Sequence, residues 1–312
     1  MSSLSGRAQC WQPPATKDQH ATAGRATFVA DASLRPNENR IEGAYVDIDG
    51  ERFYRLANYD AMPPFLMSLV SDSDHWLFIS SNGGLTAGRR DPDHALFPYC
   101  TDDQVHDTQD QTGSKTLIVV TRNKKDFLWE PFSRRYDKLY RVSRNLYKSV
   151  FSNKIIFEEI NHDLSLAFSY AWFTSERFGF IRRAVLTNQG ADPAVLELLD
   201  GIQNVLPYGI TRRFQMEYST LADGYKVSEL VDETGVGIFR LSSIPTDKAE
   251  PSEALRATAI WSEGLEAAKR LLSSSQLDRF RQRHSVREET EIRGRRGAYF
   301  LNAQLTVPAN SA

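Results

Sequence analysis

The clearest pattern in the chain is an alternation in which Leu164, Leu166, Phe168, Tyr170 and Trp172 are bulky, whereas Ser165, Ala167, Ser169 and Ala171 between them are small. Successive side chains of a β-strand point to opposite faces, so this period of two predicts a strand with one bulky, buried face and one small face. Upstream, Ala44 to Ile48 and Arg52 to Leu56 flank Asp49-Gly50, a dipeptide suited to the positive φ values of a tight hairpin turn. Phe178 to Thr187 reads as a strand that turns at Asn188-Gln189-Gly190 and resumes through Val195 to Asp200, which is the syntax of an antiparallel meander. Alternation returns at Val236 to Leu241 and near the C-terminus, where Tyr299, Leu301, Ala303, Leu305 and Val307 oppose Phe300, Asn302, Gln304 and Thr306.

Helical signals are few. Phe214, Tyr218, Leu221 and Tyr225 have i, i+4, i+7, i+11 spacing, Leu265 to Leu272 is a short Ala/Lys/Leu run, and Ser275 with Asp278 is placed to cap a turn leading to Phe280. Many strands without strand-helix alternation predict a mainly all-β fold, a large antiparallel β-sandwich carrying short helical insertions. No repeat of fixed period argues for a propeller or solenoid. Met1 to about Arg40 is rich in Ala, Ser, Thr and Pro and has no sustained period, so residues 1–40 are expected to be an irregular or mobile leader and 41–312 one large domain.

Composition narrows the function classes. With 312 residues, 41% hydrophobic and 25% charged, the chain can bury a sizeable core. A net charge of −2 gives no bulk electrostatic reason to expect nucleic acid or an anionic membrane as partner. The two cysteines, Cys10 and Cys100, lie far apart and argue against a disulfide framework or a thiolate metal site. The first thirty residues lack the apolar core of a secretory signal, and no run is long enough to span a bilayer, so a cytoplasmic protein is expected.

Familiar catalytic motifs are missing: neither Gly-x-Ser-x-Gly nor a P-loop occurs. Asp72 and Asp74 begin like a calcium loop, but Trp76-Leu77-Phe78 follows where further oxygen ligands and a glycine are needed, so a turn between strands is the better reading. Ser80 to Asp91 is dense in small residues and contains Asn82, Arg89 and Arg90. Such a stretch suits an anion or a sugar, because glycines admit a ligand to the backbone and guanidinium forks bind oxyanions or vicinal hydroxyls. The competing reading is a glycine-bearing hairpin whose arginines pair with Asp91 and Asp93.

In Leu96 to Asp107, aromatics precede Asp102, Asp103, His106 and Asp107, the mixture with which proteins stack on and hydrogen-bond to sugars. Read as strand neighbours, Asp102 and Asp103 point to opposite sides and make a poor catalytic pair. His106 has no second histidine nearby, so no metal site is assigned. Glu158 and Glu159, in a strand-like context, are expected to be one exposed and one paired with a cation, without a catalytic role. Trp172 belongs to the bulky core face, Trp261 is expected to pack in a sheet, and Trp129, after a predicted strand and polar turn, is an exposed-platform candidate.

Taken together, Ser81-Asn82-Gly83-Gly84, Arg89-Arg90-Asp91, Phe97-Pro98-Tyr99 to His106-Asp107, Phe157 to Asp163, Leu186-Thr187-Asn188, Leu199 to Gly209 and Arg293 to Phe300 resemble the N-terminal domain of large proteins related to cellobiose phosphorylase. The resemblance runs from about Tyr45 to Val307. It implies a sandwich of the galactose-mutarotase-like, glucan-phosphorylase N-terminal type, followed in full-length relatives by a helical linker and an (α/α)6 barrel. In those enzymes the barrel supplies the catalytic acid for inverting phosphorolysis, so no catalytic residue is transferred to this chain, which stops at Ala312.

The function this implies is a carbohydrate-binding, enzyme-associated domain that shapes a sugar entrance and subunit contacts and is inactive alone. Its sugar-binding candidates are Asn82, Arg89, Arg90, Asp102, His106, Asp107 and Trp129. The expected partners are an oligosaccharide or β-glucan, and a catalytic barrel or a homodimer mate. No cofactor is expected, inorganic phosphate being a co-substrate only where the barrel is present. Two alternatives stay open. One is a freestanding hydrolase or epimerase using His106 with Asp102 or Asp107; the other is a purely structural dimerisation domain.

Overall fold

The Asp49-Gly50 turn forms as its sequence predicts, with φ of 51° and 80° at the two residues. It joins strands Glu42–Ile48 and Glu51–Ala57, which pair with Ile48 opposite Glu51. In the computed structural model, residues 27–35, 40–218, 220–243, 256–266 and 269–312 are described, without the side chains of Asp102 and Asp103.

Every strand pairing among the described residues is antiparallel. A six-stranded sheet runs in the order Gly179–Asn188, Leu166–Ser175, Lys154–Asn161, Val142–Ser149, Glu51–Ala57, Glu42–Ile48. A five-stranded sheet runs Lys125–Trp129, Gly113–Arg122, Ala194–Val205, Gly297–Val307, Lys269–Leu271. Two four-stranded sheets complete the domain, one from Leu66–Leu69, His75–Ser80, Leu85–Arg89 and Ala95–Phe97, the other from Thr258–Ile260, Val236–Leu241, Lys226–Val231 and Glu291–Arg293.

One apolar core joins these layers and makes the fold an all-β sandwich. Phe157, Phe168, Tyr170 and Trp172 of the six-stranded sheet share it with Ile118, Val120, Leu196 and Leu301 of the five-stranded sheet and with Leu77, Ile79, Leu85 and Phe97. The alternating strand therefore packs its bulky face as predicted. On the far side of the five-stranded sheet, Leu117, Val119, Leu199 and Phe300 are covered by Leu277 and Phe280 of the helix Leu277–Arg281.

A polar clamp crosses the core. Arg182, in the edge strand of the six-stranded sheet, donates through both terminal nitrogens to Asp200 of the five-stranded sheet at 2.8 and 2.7 Å. Thr116 adds a 2.6 Å hydrogen bond to the same carboxylate, Arg182 Nε donates to Ser114, and the guanidinium lies over the Tyr170 ring. Each donor and acceptor thus has a partner, which is the condition for an ion pair to be tolerated in low dielectric.

Several sequence expectations need correction. The Asn188 turn does not close a meander: Gly179–Asn188 edges one sheet and Ala194–Val205 lies inside another, so the turn is a crossover, secured by Asn188 Nδ2 donating to the carbonyls of Asp192, Val307 and Pro308. In the Leu265 to Leu272 run, residues 267 and 268 lie outside the described residues, but Lys269–Leu271 is a strand against Gly297–Val307 rather than a helix. Burial of Leu271 and Leu272 against the sheet outweighs local helix propensity. The Phe214 to Tyr225 period resolves into two short helices, Arg212–Glu217 and Thr220–Gly224, with Leu221 exposed and Ser219 outside the described residues. Before Phe280 the turn is present, but Gln276 occupies its N-cap position and not Ser275.

Trp261 lies just beyond its strand, 49% exposed with its ring edge-on to Phe178, instead of packing in a sheet. Of the expected leader, residues 1–26 and 36–39 lie outside the described residues. Residues 27–34 belong to a separate unit, in which Phe28–Val29 pairs with Ala32–Ser33.

Gly201 shows how tightly the five-stranded sheet is built. A Cβ there would lie 2.0 Å from the Tyr299 carbonyl oxygen, a backbone atom that cannot swing aside. Gly201→Ala should lower stability by about 1–3 kcal/mol, the range for overpacking a core. Urea unfolding of the purified chain measures this directly.

Candidate functional site

The segment between strands Lys125–Trp129 and Val142–Ser149 reads Pro131-Phe132-Ser133-Arg134-Arg135-Tyr136-Asp137-Lys138-Leu139-Tyr140-Arg141. With neither a period of two nor a helical stripe it cannot bury one face, and it forms an irregular loop. This loop is one wall of an open cleft of about 520 Å³. Ser81 and Asn82 in a hairpin turn also line it, with Tyr59, Asp60, Gln109, Arg144 and His162.

Glu159 holds the loop in place from below. Its carboxylate, almost fully buried, accepts from the Trp129 indole at 2.7 Å, from Arg144 Nε at 2.7 Å and from the Phe132 backbone N–H at 2.8 Å. Phe132 has φ of 63°, an uncommon conformation for a bulky residue. Its geometry is fixed from three sides: by Glu159, by Gln109 Nε2 donating to its carbonyl at 2.9 Å, and by edge-on packing of its ring against Tyr170. Lys138, at φ of 65°, is tied through its carbonyl, which accepts from the Arg35 backbone N–H. Backbone strain held by such over-determination is a feature of ligand sites.

Electrostatics follow from the same contacts. Asp163 accepts from both Arg35 and Arg141 at 2.6 and 2.9 Å. Partial burial works against ionising it, yet the Arg141 backbone N–H and the two guanidiniums hold its carboxyl below the usual carboxylate value. Burial likewise opposes charge on Arg144, but Glu159 reverses this and raises its pKa, so Arg144 stays cationic. The Tyr59 hydroxyl is pushed well above its ordinary value, chiefly by burial, and stays protonated as a donor. His162 Nε2 shares a 2.8 Å hydrogen bond with Ser143.

The sequence-derived candidates separate into three places. Asn82 lines the cleft; its Nδ2 donates to the His106 carbonyl at 2.8 Å and its Oδ1 accepts from the Gly84 N–H. Behind it, Asp102–Asp107 is a helix, which corrects the strand geometry expected for Asp102 and Asp103. The Asp102 side chain lies outside the described structure, the His106 ring is within 2.7 Å of Ser80 Oγ, and Asp107 is exposed at the helix end. His106 therefore acts as a brace for the hairpin turn.

Arg89 and Arg90 lie at the other end of that hairpin, roughly 13 Å away at about 3.3 Å per strand residue. Arg89 binds Asp74 with two hydrogen bonds of 2.8 and 2.7 Å, and Arg90 approaches the same carboxylate at 3.5 Å. The arginines are thus paired, as the hairpin reading holds, but with Asp74 and not with Asp91 or Asp93. Asp91 instead accepts from the Asp93 backbone and contacts His94. Trp129 is corrected outright: it is 2% exposed and its indole N–H is committed to Glu159, so it offers no face to a sugar. Both glutamates of the Glu158-Glu159 pair are engaged, Glu158 accepting from Asn145 and Tyr147.

The cleft residues Arg134, Lys138, Tyr140, Arg141 and Gln109 are not among the sequence candidates. The signal that marks them is basic and aromatic residues interleaved without strand or helix period.

Gly84 sets the distance between turn and helix. A Cβ there would come within 2.2 Å of the Val105 carbonyl. Gly84→Ala should displace the Ser81-Asn82 turn and lower stability by about 1–3 kcal/mol, the range for overpacking. Urea unfolding of wild type and variant checks this.

Among the described residues no group of three or more His, Cys, Asp or Glu gathers to hold a metal ion, and no helix is long and apolar enough to cross a membrane. In comparisons with known proteins, the chain matches no family model and no curated protein.

Proposed function

We propose that this chain is a carbohydrate-binding β-sandwich domain of the kind that accompanies cellobiose-phosphorylase-like catalytic barrels, with the loop-walled cleft as its sugar site. The cleft itself carries this reading: about 520 Å³ falls in the range of small-ligand pockets, and its wall mixes side-chain amides, hydroxyls and guanidiniums with aromatic rings. Sugars present hydroxyls in several directions and one apolar ring face, so a site for them needs planar donors and acceptors together with an aromatic surface. Asn82 and Arg141 are suited to the first task and Tyr140 to the second.

No catalytic role is assigned to any residue, and the reading includes a cytoplasmic setting with a barrel or a second copy as partner. Inorganic phosphate enters as co-substrate only when a barrel is joined. The sequence strings resembling the phosphorylase-related family support the same class of ligand.

Isothermal titration with cellobiose and longer β-glucan oligosaccharides tests the proposal. Asn82→Ala should weaken binding by about five- to tenfold, the loss expected for one hydrogen-bonding side chain. Arg89→Ala and Arg90→Ala, at the far end of the hairpin, should leave affinity unchanged. Binding that ignores Asn82 but falls with Arg89 would move the site away from the cleft and remove this reading.

A further inference from the structure

The six-stranded sheet turns one face to the core and presents a different set of side chains on the other. On that outer face stand Ile156, Ile160, Phe173, Ile181 and Val185, none of which joins an apolar core cluster among the described residues. Ala167, Ser169 and Ala171, the small side of the alternating strand, lie between them and leave the face hollow. The sheet also curls toward this side. Asp49, at the tip of the first hairpin, comes within 4.0 Å of Arg183 on the opposite edge strand, although four strand spacings of about 4.8 Å would separate the two strands in a flat sheet.

A polar row crosses the hollow. Glu158 Oε2 accepts from the Tyr147 hydroxyl at 2.8 Å and from Asn145 Nδ2 at 2.7 Å, and Asn145 Oδ1 accepts from Arg55 at 3.4 Å. Burial and the neighbouring Glu158 carboxylate push the Tyr147 hydroxyl above its ordinary value, so it stays protonated and donates. The second carboxylate oxygen, Glu158 Oε1, accepts from no described residue and keeps surface open to water. An ionised carboxylate offers acceptor sites on both oxygens, so half of this one is oriented by the protein and half is available.

The row continues the cleft. Ser143 lines the cleft, and Ser143, Asn145 and Tyr147 are alternate residues of one strand, so they share the outer face. Ser143 lies opposite Ile160, Asn145 opposite Glu158 and Tyr147 opposite Ile156. From Ser143 to Tyr147 the strand runs roughly 13 Å at about 3.3 Å per residue, more than the width of one sugar ring.

From this continuity we infer that the cleft holds one part of an oligosaccharide and that the chain continues along the outer sheet face, where a hydroxyl of a further sugar unit donates to Glu158 Oε1. The row contains one guanidinium and one carboxylate, so neither charge dominates, which suits the neutral hydroxyls of a sugar. The inference rests on the reading of the cleft as a sugar site and names its substrate as a neutral chain longer than a disaccharide.

Titrations of the whole chain with cellobiose and cellopentaose test this. Wild type should bind cellopentaose at least about tenfold more tightly than cellobiose, the gain from one added hydrogen bond to a charged group. Glu158→Gln removes the open acceptor while keeping a carbonyl for Tyr147 and Asn145; it should leave less than about threefold of that gain, with cellobiose affinity unchanged. Tyr147→Phe, which removes the hydroxyl that orients the carboxylate, should shift the gain in the same direction, and circular dichroism of both variants controls for folding. Asn82→Ala should weaken both sugars, because both occupy the cleft. Equal affinity for the two sugars, or a gain that survives Glu158→Gln, overturns the inference and leaves the cleft standing as a site for short sugars. Failure of both sugars to bind overturns both readings.

Discussion

Replacing Glu130 by alanine should cost about 3–5 kcal/mol of stability, the range for leaving a buried charge without its partner. The Glu130 side chain is fully buried and joins Lys115, itself 4% exposed, to Arg281, 9% exposed. Arg281 donates to both carboxylate oxygens at 3.0 and 2.8 Å, while Lys115 contacts Oε1 and reaches Asp110 at 2.6 Å. Lys115 comes from the five-stranded sheet and Arg281 from the helix that covers it, so the carboxylate binds layer to layer. Without it Lys115 keeps only Asp110 and Arg281 only Asp278, and the two buried cations are left facing each other.

The same residue gives a pH dependence. Burial alone would raise the Glu130 pKa, but Arg281 and Lys115 outweigh it and hold the carboxyl below its ordinary value. A group whose folded pKa is depressed stabilises the fold fully above its unfolded value, near about pH 4.3, and loses that contribution as pH falls through the folded value. Chemical denaturation of wild type from neutral to acid pH should therefore show stability falling below about pH 4.3, and Glu130→Gln should remove part of that slope. A variant as stable as wild type at neutral pH would mean that the cluster contributes nothing.

Asp200→Ala is expected to have a comparable effect, about 3–5 kcal/mol, for the same reason at a different place. Arg182 has 9% of its side chain exposed and both terminal nitrogens bound to Asp200, and Thr116 loses its acceptor in the variant. Because this pair bridges the two large sheets, the loss should appear as lower cooperativity as well as a lower midpoint in urea. Removing both partners, as Arg182→Leu with Asp200→Leu, should recover much of the loss, since a buried pair replaced by apolar groups is often tolerated. A double variant worse than either single one would show that the clamp is needed for the fold as well as neutralised within it.

Strands were legible where one face is buried and the other small or polar. Leu166–Ser175 and the Asp49-Gly50 hairpin follow from side-chain alternation and turn chemistry, which act over a few residues. Which sheet a strand joins was not legible, because Asn188 to Ala194 reads the same whether the chain folds back on its neighbour or crosses to the other layer. Lys269–Leu271 shows the complementary failure: a stretch of good helix formers is taken into a sheet by the Gly297–Val307 edge, a contact thirty residues away in sequence.

The site was readable only in part for a similar reason. Asn82 and His106 belong together, but their link is a side chain to a carbonyl across 24 residues, and strand spacing carries no trace of it. Arg89 and Arg90 looked close to Asn82 because sequence separation was short, whereas an extended strand turns a few residues into a long distance. Trp129 reads as exposed from its neighbours alone because its burial depends on Glu159, thirty residues away in sequence, whose acceptance of the indole N–H has no local signal. The loop from Pro131 to Arg141 has no period at all, and only the fold reveals that Phe132, Arg134, Lys138, Tyr140 and Arg141 line one recess.

The most direct test of the cleft as a sugar site is an amide-shift titration of the isotope-labelled chain with a β-glucan oligosaccharide. The backbone amides of Asn82, Gln109, Phe132 and Arg141 should shift in a saturable way, with those of Arg89 and Arg90 unmoved. Shifts centred on Arg89 and Arg90, or none at saturating sugar, would contradict it.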